Sequence, residues 1–234
     1  MKKEIKICAG LAHVDYGHIA DVVKSASDAG VDYIHSDAAD MSNLRNMQLM
    51  GGHQIVEGIR NYTDKPIEVH AYFDDVDKLF IDKIAAAGAD MLILPAENFI
   101  GAPLAYIMKY LKDYNMKIGL TIGCFTPLSF VTESINYLDR LHVVTHGVGK
   151  NDSDWMWRRS SISLVREARA LINEKNPSCE LCVDGGLRLD NMSELMKEDI
   201  DAVVFSSAIF KNPKGVKVAV QELRAEIQKA RKDL

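Results

Sequence analysis

The stretch AGVDYIHSDAAD, Ala29 to Asp40, holds a helix stop, a strand and a pair of chemically competent side chains in one run. Gly30 fits a helix C-cap, and the apolar residues after it start a strand. His35 and Asp37 stand two residues apart near the strand's end. Residues i and i+2 of an extended strand point to one face, so the imidazole and the carboxylate project together. The same junction returns as AGADML at 87–92, with Gly88 as the cap, and more loosely as DIDAVV at 199–204.

Outward from these junctions, strand-like apolar runs recur as IKICAGL, DYIHSDA, IEVHAYF, ADMLILP, KIGLTIG, LHVVTHGV, CELCVDG and DAVVFSSA. Helical periodicity fills the intervals at 16–29, 46–62, 75–87, 102–114, 128–138, 157–174, 190–198 and 213–231,. Strands that read as near-continuous apolar runs belong to a parallel sheet covered by helices. Eight such alternations in 234 residues predict an α/β fold, a closed (β/α)8 TIM barrel forming a single domain over 1–234; such barrels take about 250 residues. Pro127 suits a first helical turn.

Chemistry in such barrels sits at the C-terminal ends of the strands. His35 and Asp37 on strand two, His70 on strand three and Asp184 on strand seven all fall there. Carboxylates in strongly apolar company need a partner or a metal. Two histidines and two aspartates suit a divalent ion of intermediate softness, Zn²⁺, Mn²⁺, Fe²⁺ or Co²⁺. The turn Gly185–Gly186 after strand seven, with Ser206 and Ser207 after strand eight, fits the usual phosphate cradle of these barrels. Gly147 and Gly149 after strand six line the same end, and His146 is placed to face the site. Arg158 and Arg159, following Trp155 and Trp157, read as a solvated helix start or a clamp on an anionic substrate. His13, His18, His53 and His142 receive no assigned role, and Met41, Met47 and Met50 read as helix core filler.

A hydrophobic share of 47%, a charged share of 26% and a net charge of −5 describe a globular protein without the basic field that nucleic acid requires,. The first ten residues do not read as a signal peptide, and no apolar run reaches the ~20 residues of a membrane span. The expected location is therefore cytoplasmic, with no membrane partner. Cys8, Cys124, Cys179 and Cys182 lie in apolar strand patterns and read as buried, reduced thiols,. Cys179 and Cys182 have C-x-x-C spacing, but within one strand i and i+3 face opposite sides, so they cannot share a metal.

These motifs together resemble the ribulose-phosphate 3-epimerase family over nearly the whole chain. H-x-D-x-x-D appears as His35, Asp37 and Asp40, V-H as Val69 and His70, T-P-L as Thr126 to Leu128, V-D-G-G as Val183 to Gly186, and G-S-A as Ser206 to Ala208. The resemblance implies epimerisation of a ketose phosphate, ribulose 5-phosphate or a related pentulose, hexulose or tetrulose phosphate, through an enediolate. Asp37 and Asp184 are then the two acid/base groups and also metal ligands, with His35 and His70 completing the shell. Related decarboxylases and synthases carry a lysine at the strand-two position where this chain has Asp37. Alternatives are a lyase or isomerase on the same barrel, or a non-catalytic sugar-phosphate-binding protein. Relatives of this kind are often homo-oligomers.

Departures from the family pattern concentrate on substrate recognition. Gly10 and His13 stand where the family has serines, Ala39 and Tyr72 replace methionines that pack over the substrate, and the strand-six loop reads THGVGKNDS. Tyr72 adds a hydroxyl donor that methionine lacks.

Overall fold

The computed structural model describes residues 4–39, 51–146 and 161–232. Eight parallel strands close into one barrel in chain order: β1 (Lys6–Gly10), β2 (Tyr33–Ala39), β3 (Ile67–Tyr72), β4 (Met91–Pro95), β5 (Lys117–Ile122), β6 (Arg140–Val144), β7 (Glu180–Asp184) and β8 (Ala202–Phe205). β1 pairs with β2 on one side and with β8 on the other, which closes the ring. Outside lie α1 (Ile19–Asp28), α2 (His53–Arg60), α3 (Lys78–Ala86), α4 (Ala102–Asp113), α5 (Ser161–Lys175), α6 (Ser207–Phe210) and α7 (Val216–Lys232). The barrel expected from the sequence is the fold observed. No helix among the described residues is long and apolar enough to cross a membrane.

Alternate strand residues divide between two environments, as a pleated strand requires. Ile7, Ile34, Val69, Leu92, Leu120, Leu141, Leu181 and Val203 pack outward against helix residues such as Val23, Val56, Ile84 and Leu223, forming the large core. Cys8, Tyr33, Cys182, Ala202 and Val204 form a separate cluster inside the barrel. The inward positions of β2, β3, β6 and β7 therefore include His35 and Asp37, Glu68 and His70, Arg140 and His142, and Asp184. Most barrels fill this space with Val, Ile and Leu. Here it carries charge.

The repeated junction has a physical purpose at the N-terminal end of the barrel. Asp32, Asp90 and Asp201, each just before an even-numbered strand, accept through their carboxylates from the backbone N–H of Ile7, Ile67 and Leu181 on the preceding strand. Each donates its own N–H back to the carbonyl of that residue. Asp139 does the same with Ile118, a fourth copy that the sequence pattern conceals. Arg224, Arg60 and Arg169 neutralise Asp32, Asp90 and Asp201. Asp201, 7% exposed, is the most enclosed of these three. Asp201→Ala strips the buried Leu181 N–H of its acceptor and is expected to cost about 1–3 kcal/mol in urea unfolding; a loss below ~0.5 kcal/mol, the scatter of ordinary surface changes, would show that the clamp contributes nothing.

Two expected helices are reduced to turns. Over 128–138 there are only 3₁₀ turns at Leu128–Phe130 and Ile135–Tyr137, because Val131, Thr132 and Ile135 with Ser129, Ser134 and Asn136 give a weak helix former. Over 190–198 there is one 3₁₀ turn, Leu195–Lys197; so short a segment cannot offset helix nucleation. Cys124 lies in the turn after β5 rather than in a strand, with its thiol 3.2 Å from the Ser161 hydroxyl. Cys179 belongs to the outer core and Cys182 to the inner cluster, on opposite faces of the chain. Burial pushes the Cys179 thiol up to about 12.

Candidate metal centre and active site

His35 and Asp37 point into the barrel from β2, His70 from β3 and Asp184 from the end of β7. The register sets Asp37 beside His70 across the β2–β3 ladder, and Val144 beside Asp184 across β6–β7. The four residues singled out in the sequence converge. His35 Nε2 lies 3.3 Å from Asp37 Oδ1 and 3.8 Å from Asp184 Oδ2. His70 Nδ1 lies 3.7 Å from Asp37 Oδ1 and 4.0 Å from Asp184 Oδ2. The two carboxylates, on strands separated by β8 and β1, thus approach the same pair of imidazoles.

A fifth residue joins them. His142 of β6, for which the sequence offered no partner, sets its Nε2 3.3 Å from Asp184 Oδ2. Its ring stacks on that of His35 with centroids 5.4 Å apart, and lies 4.7 Å from that of His70. Among the described residues, His35, His70, His142 and Asp184 present ligand atoms that all lie within 4.8 Å of one another. The three histidines are completely buried. No sequence signal marked His142, because only the β6–β7 register shows that Val144, on the same strand face, stands beside Asp184.

Below this cluster runs a chain of buried charge. His35 Nδ1 faces Glu68 at 2.7 Å. Glu68 pairs with Arg140, which also donates to Glu180 at 2.6 Å, and Lys6 pairs with Glu180 in turn. The Arg140 guanidinium stacks over the Tyr33 ring at 4.6 Å. Gly119 lets the base of Arg140 approach β5 closely, since a Cβ there would lie 3.1 Å from the Arg140 carbonyl oxygen and 3.5 Å from its Cβ. Burial alone would raise the Glu68 carboxyl, but the Arg140 guanidinium, followed by the His35 hydrogen bond, outweighs it and holds the group at about 2. An ionised Glu68 accepts from His35 Nδ1–H and fixes the ring with Nε2 facing the carboxylates,.

A group whose folded pKa is depressed contributes stability above its unfolded pKa and loses it as pH falls. The Glu68 contribution should vanish between about 4.5 and about 2,. Melting curves across that window should show the gap between wild type and Glu68→Gln closing on acidification; a constant gap would mean that Glu68 is not the ionised partner.

The histidines separate in character. Burial works against protonation of His35, yet the Asp37 and Glu68 carboxylates raise it well above the usual imidazole range. Burial and the neighbouring His142 and His35 hold His70 well below that range. Burial would raise Asp184, but the hydrogen bond from His142 and the charges of His35 and His70 keep it ionised. Both ring nitrogens of His70, and Nδ1 of His142, are buried without a hydrogen-bond partner among the described residues. An unprotonated imidazole left so is poorly accommodated, and a divalent ion would supply the missing interaction. The residues fit a metal.

The other expected positions form two corners of the barrel mouth. Gly10 packs against Val204 and Ser206, where an added Cβ would lie 3.0 Å from Val204 Cγ1 and 3.3 Å from Ser206 Cβ. His13 Nδ1 meets Ser206 Oγ at 3.2 Å, and Ser207 opens α6. Gly185, at φ +117, has no room for a Cβ, which would meet His146 Cδ2 at 2.5 Å; Gly186 has φ +66. Tyr72 tilts onto the His70 ring with centroids 4.1 Å apart, and burial beside Asp37 and Asp184 raises its phenol well above its usual range. Asp40, Met41, Met47, Met50, Gly147, Gly149, Trp155, Trp157, Arg158 and Arg159 lie outside the described residues.

Residues 6–210 match the model of the ribulose-phosphate 3 epimerase family. Ribulose-phosphate 3-epimerase of Escherichia coli K12 is 28% identical over 228 residues, covering 97% of this chain and 98% of its own. Among solved structures, KGPDC from Streptococcus mutans superposes with a TM-score of 0.72 at 16% identity, covering 97% of this chain and 99% of the other. The 3-hexulose-6-phosphate synthase of Salmonella typhimurium gives 0.69 at 14% identity, covering 97% and 100%. At these identities the structural likenesses speak for the barrel alone.

Proposed function

Because the chain belongs to the ribulose-phosphate 3-epimerase family, we propose that it is a metal-dependent 3-epimerase of a ketose phosphate, with Asp37 and Asp184 as its acid/base pair. The observation that carries the reading is the convergence of these carboxylates on the same two buried imidazoles from strands on different sides of the mouth.

Inverting a carbon next to a ketone requires a proton to leave one face and another to arrive at the opposite face. Two carboxylates flanking one space can divide that work. Asp184, held ionised by its histidine neighbours, is suited to accept the proton. Asp37, reaching in from β2, is placed to return one to the other face. His35, His70 and Asp184, with Asp37 alongside, would hold the ion. When bound, a divalent ion supplies Lewis-acid polarisation of the ketone and the adjacent hydroxyl, so that negative charge can develop on those oxygens. Burial of the three imidazoles, with the half-buried Tyr72 ring against His70, keeps bulk water from the inner side of the site.

The substrate's phosphate would rest at the corner made by Gly185, Gly186, Ser206 and Ser207. Left-handed backbone at both Gly185 and Gly186 suits a loop that turns its N–H groups toward an anion,. Gly10 and His146 flank this corner. Tyr72 would donate a hydrogen bond to the sugar, and Tyr72→Phe should then raise KM about fivefold, roughly one hydrogen bond; unaltered KM and kcat would remove Tyr72 from substrate recognition.

The deciding experiment follows C3 of a panel of ketose phosphates by proton NMR in D₂O, using metal-loaded protein with and without a chelator. Chelator-sensitive deuterium entry at C3 with appearance of the epimer is the expected result. Carbon–carbon cleavage or carbonyl migration instead would assign the chain to a lyase or isomerase reaction. Binding with no exchange at all would leave only a sugar-phosphate-binding role.

A further inference from the structure

We propose that His142 is a third imidazole ligand of the metal centre, so that the ion is held by His35, His70, His142 and Asp184. The inference rests on the reading above that the site holds a divalent ion. It departs from the set of two histidines and two aspartates to which the sequence motifs point.

Position comes first. Leu141 and Val143 pack in the outer core, so His142 between them faces into the barrel,. It is completely buried, and its imidazole lies against both His35 and His70. Distance then separates two roles for it. A histidine that merely supports Asp184 from behind would hydrogen-bond the carboxylate at about 2.7–3.2 Å. Ligands arranged tetrahedrally at about 2.1 Å from an ion lie about 3.4 Å from one another. Asp184 Oδ2 is faced by nitrogens of His142, His35 and His70 at 3.3, 3.8 and 4.0 Å. Those spacings suit groups ringed around a centre, slightly open, the shortest of them being also a long hydrogen bond between His142 and Asp184. Asp37 is absent from the group whose ligand atoms are mutually within 4.8 Å, whereas His142 is in it.

Unmet bonding supports the same assignment. Among the described residues, His142 Nδ1 and both nitrogens of His70 are buried without partners, and an ion shared among the rings relieves that cost. His35 already has the outer partner a ligating histidine requires, since Glu68 fixes its Nδ1,. Three imidazoles also shift the preference toward Zn²⁺, Fe²⁺ and Co²⁺ and away from Mg²⁺ and Ca²⁺. With Asp184 as the one anionic ligand, Asp37 keeps its carboxylate for proton transfer.

The test is spectroscopic and uses the full chain loaded with zinc. X-ray absorption fine structure should count three imidazoles in the wild type and two in both His142→Leu and His142→Gln. Cobalt-loaded protein should show a changed visible spectrum in both variants, and zinc affinity should fall by about 10-fold or more, the smallest effect expected even of a group outside the first shell. Two imidazoles in the wild type, or spectra that the substitutions leave unchanged, would overturn the assignment while leaving the metal-dependent reading intact. A wild type that takes up no stoichiometric metal would overturn that reading itself. Circular dichroism checks that the variants fold, and the wild-type imidazole count decides the matter even if one does not.

Discussion

Asp184→Asn and Asp37→Asn should each lower kcat/KM for the true ketose phosphate by about 10³-fold or more, the upper part of the range for a positioned acid or base, about 4 kcal/mol of barrel-mouth catalysis. Asparagine keeps the shape and cannot exchange a proton. The two variants should differ in what else they lose. Asp184 is ringed by three imidazoles, so its loss should also weaken metal binding. Asp37 lies beside the ring, 3.3 Å from His35 and 3.7 Å from His70, so Asp37→Asn should retain most of its metal while losing turnover. Isotope exchange adds a finer check: with one carboxylate gone, exchange from one epimer should fail before exchange from the other. If either variant kept more than a tenth of wild-type activity, that residue would not be one of the two proton carriers.

The largest effect on stability is expected at Arg140. Its guanidinium has no exposure and bridges Glu68 and Glu180 over the Tyr33 ring. Arg140→Met leaves Glu68 as a buried carboxylate with only the His35 imidazole beside it, and breaking such a buried pair costs about 3–5 kcal/mol. The cost comes from the stranded charge rather than from the worth of the pair. Arg140→Met combined with Glu68→Gln should therefore recover much of the stability that Arg140→Met alone loses. Urea denaturation of wild type, the two single variants and the double variant completes the cycle. Strictly additive losses would mean that the two side chains do not share one energetic unit. The double variant should still bind metal less tightly than wild type, because the amide no longer fixes the His35 ring as the carboxylate did.

Helix stops at Gly30 and Gly88, each followed by an apolar strand, were enough to announce the barrel, because backbone capping and apolar periodicity are local properties. His35, Asp37, His70 and Asp184 were legible for a related reason. Each stands at or near a strand's C-terminal end, and in a barrel all such ends meet at one mouth. The aspartate repeat was visible as a pattern in Asp32, Asp90 and Asp201, yet its meaning was not, since the accepting N–H belongs to a different strand each time.

His142, Glu68 and Arg140 show where the sequence by itself stopped. Parallel strands buried on both faces carry no alternation of apolar and polar residues to mark which side is inward. RLHVV therefore reads the same whether its histidine faces the helices or the barrel axis. Only closure of the sheet, with β1 paired to β8 and the register that follows, decides that Arg140 and His142 share the interior with Glu68 and Asp184. The sequence by itself determined the order of strands and helices and the identity of the groups at the mouth. The tertiary structure decided which buried side chains stand within a few ångströms of one another, because that proximity is set by pairing between strands far apart in the chain.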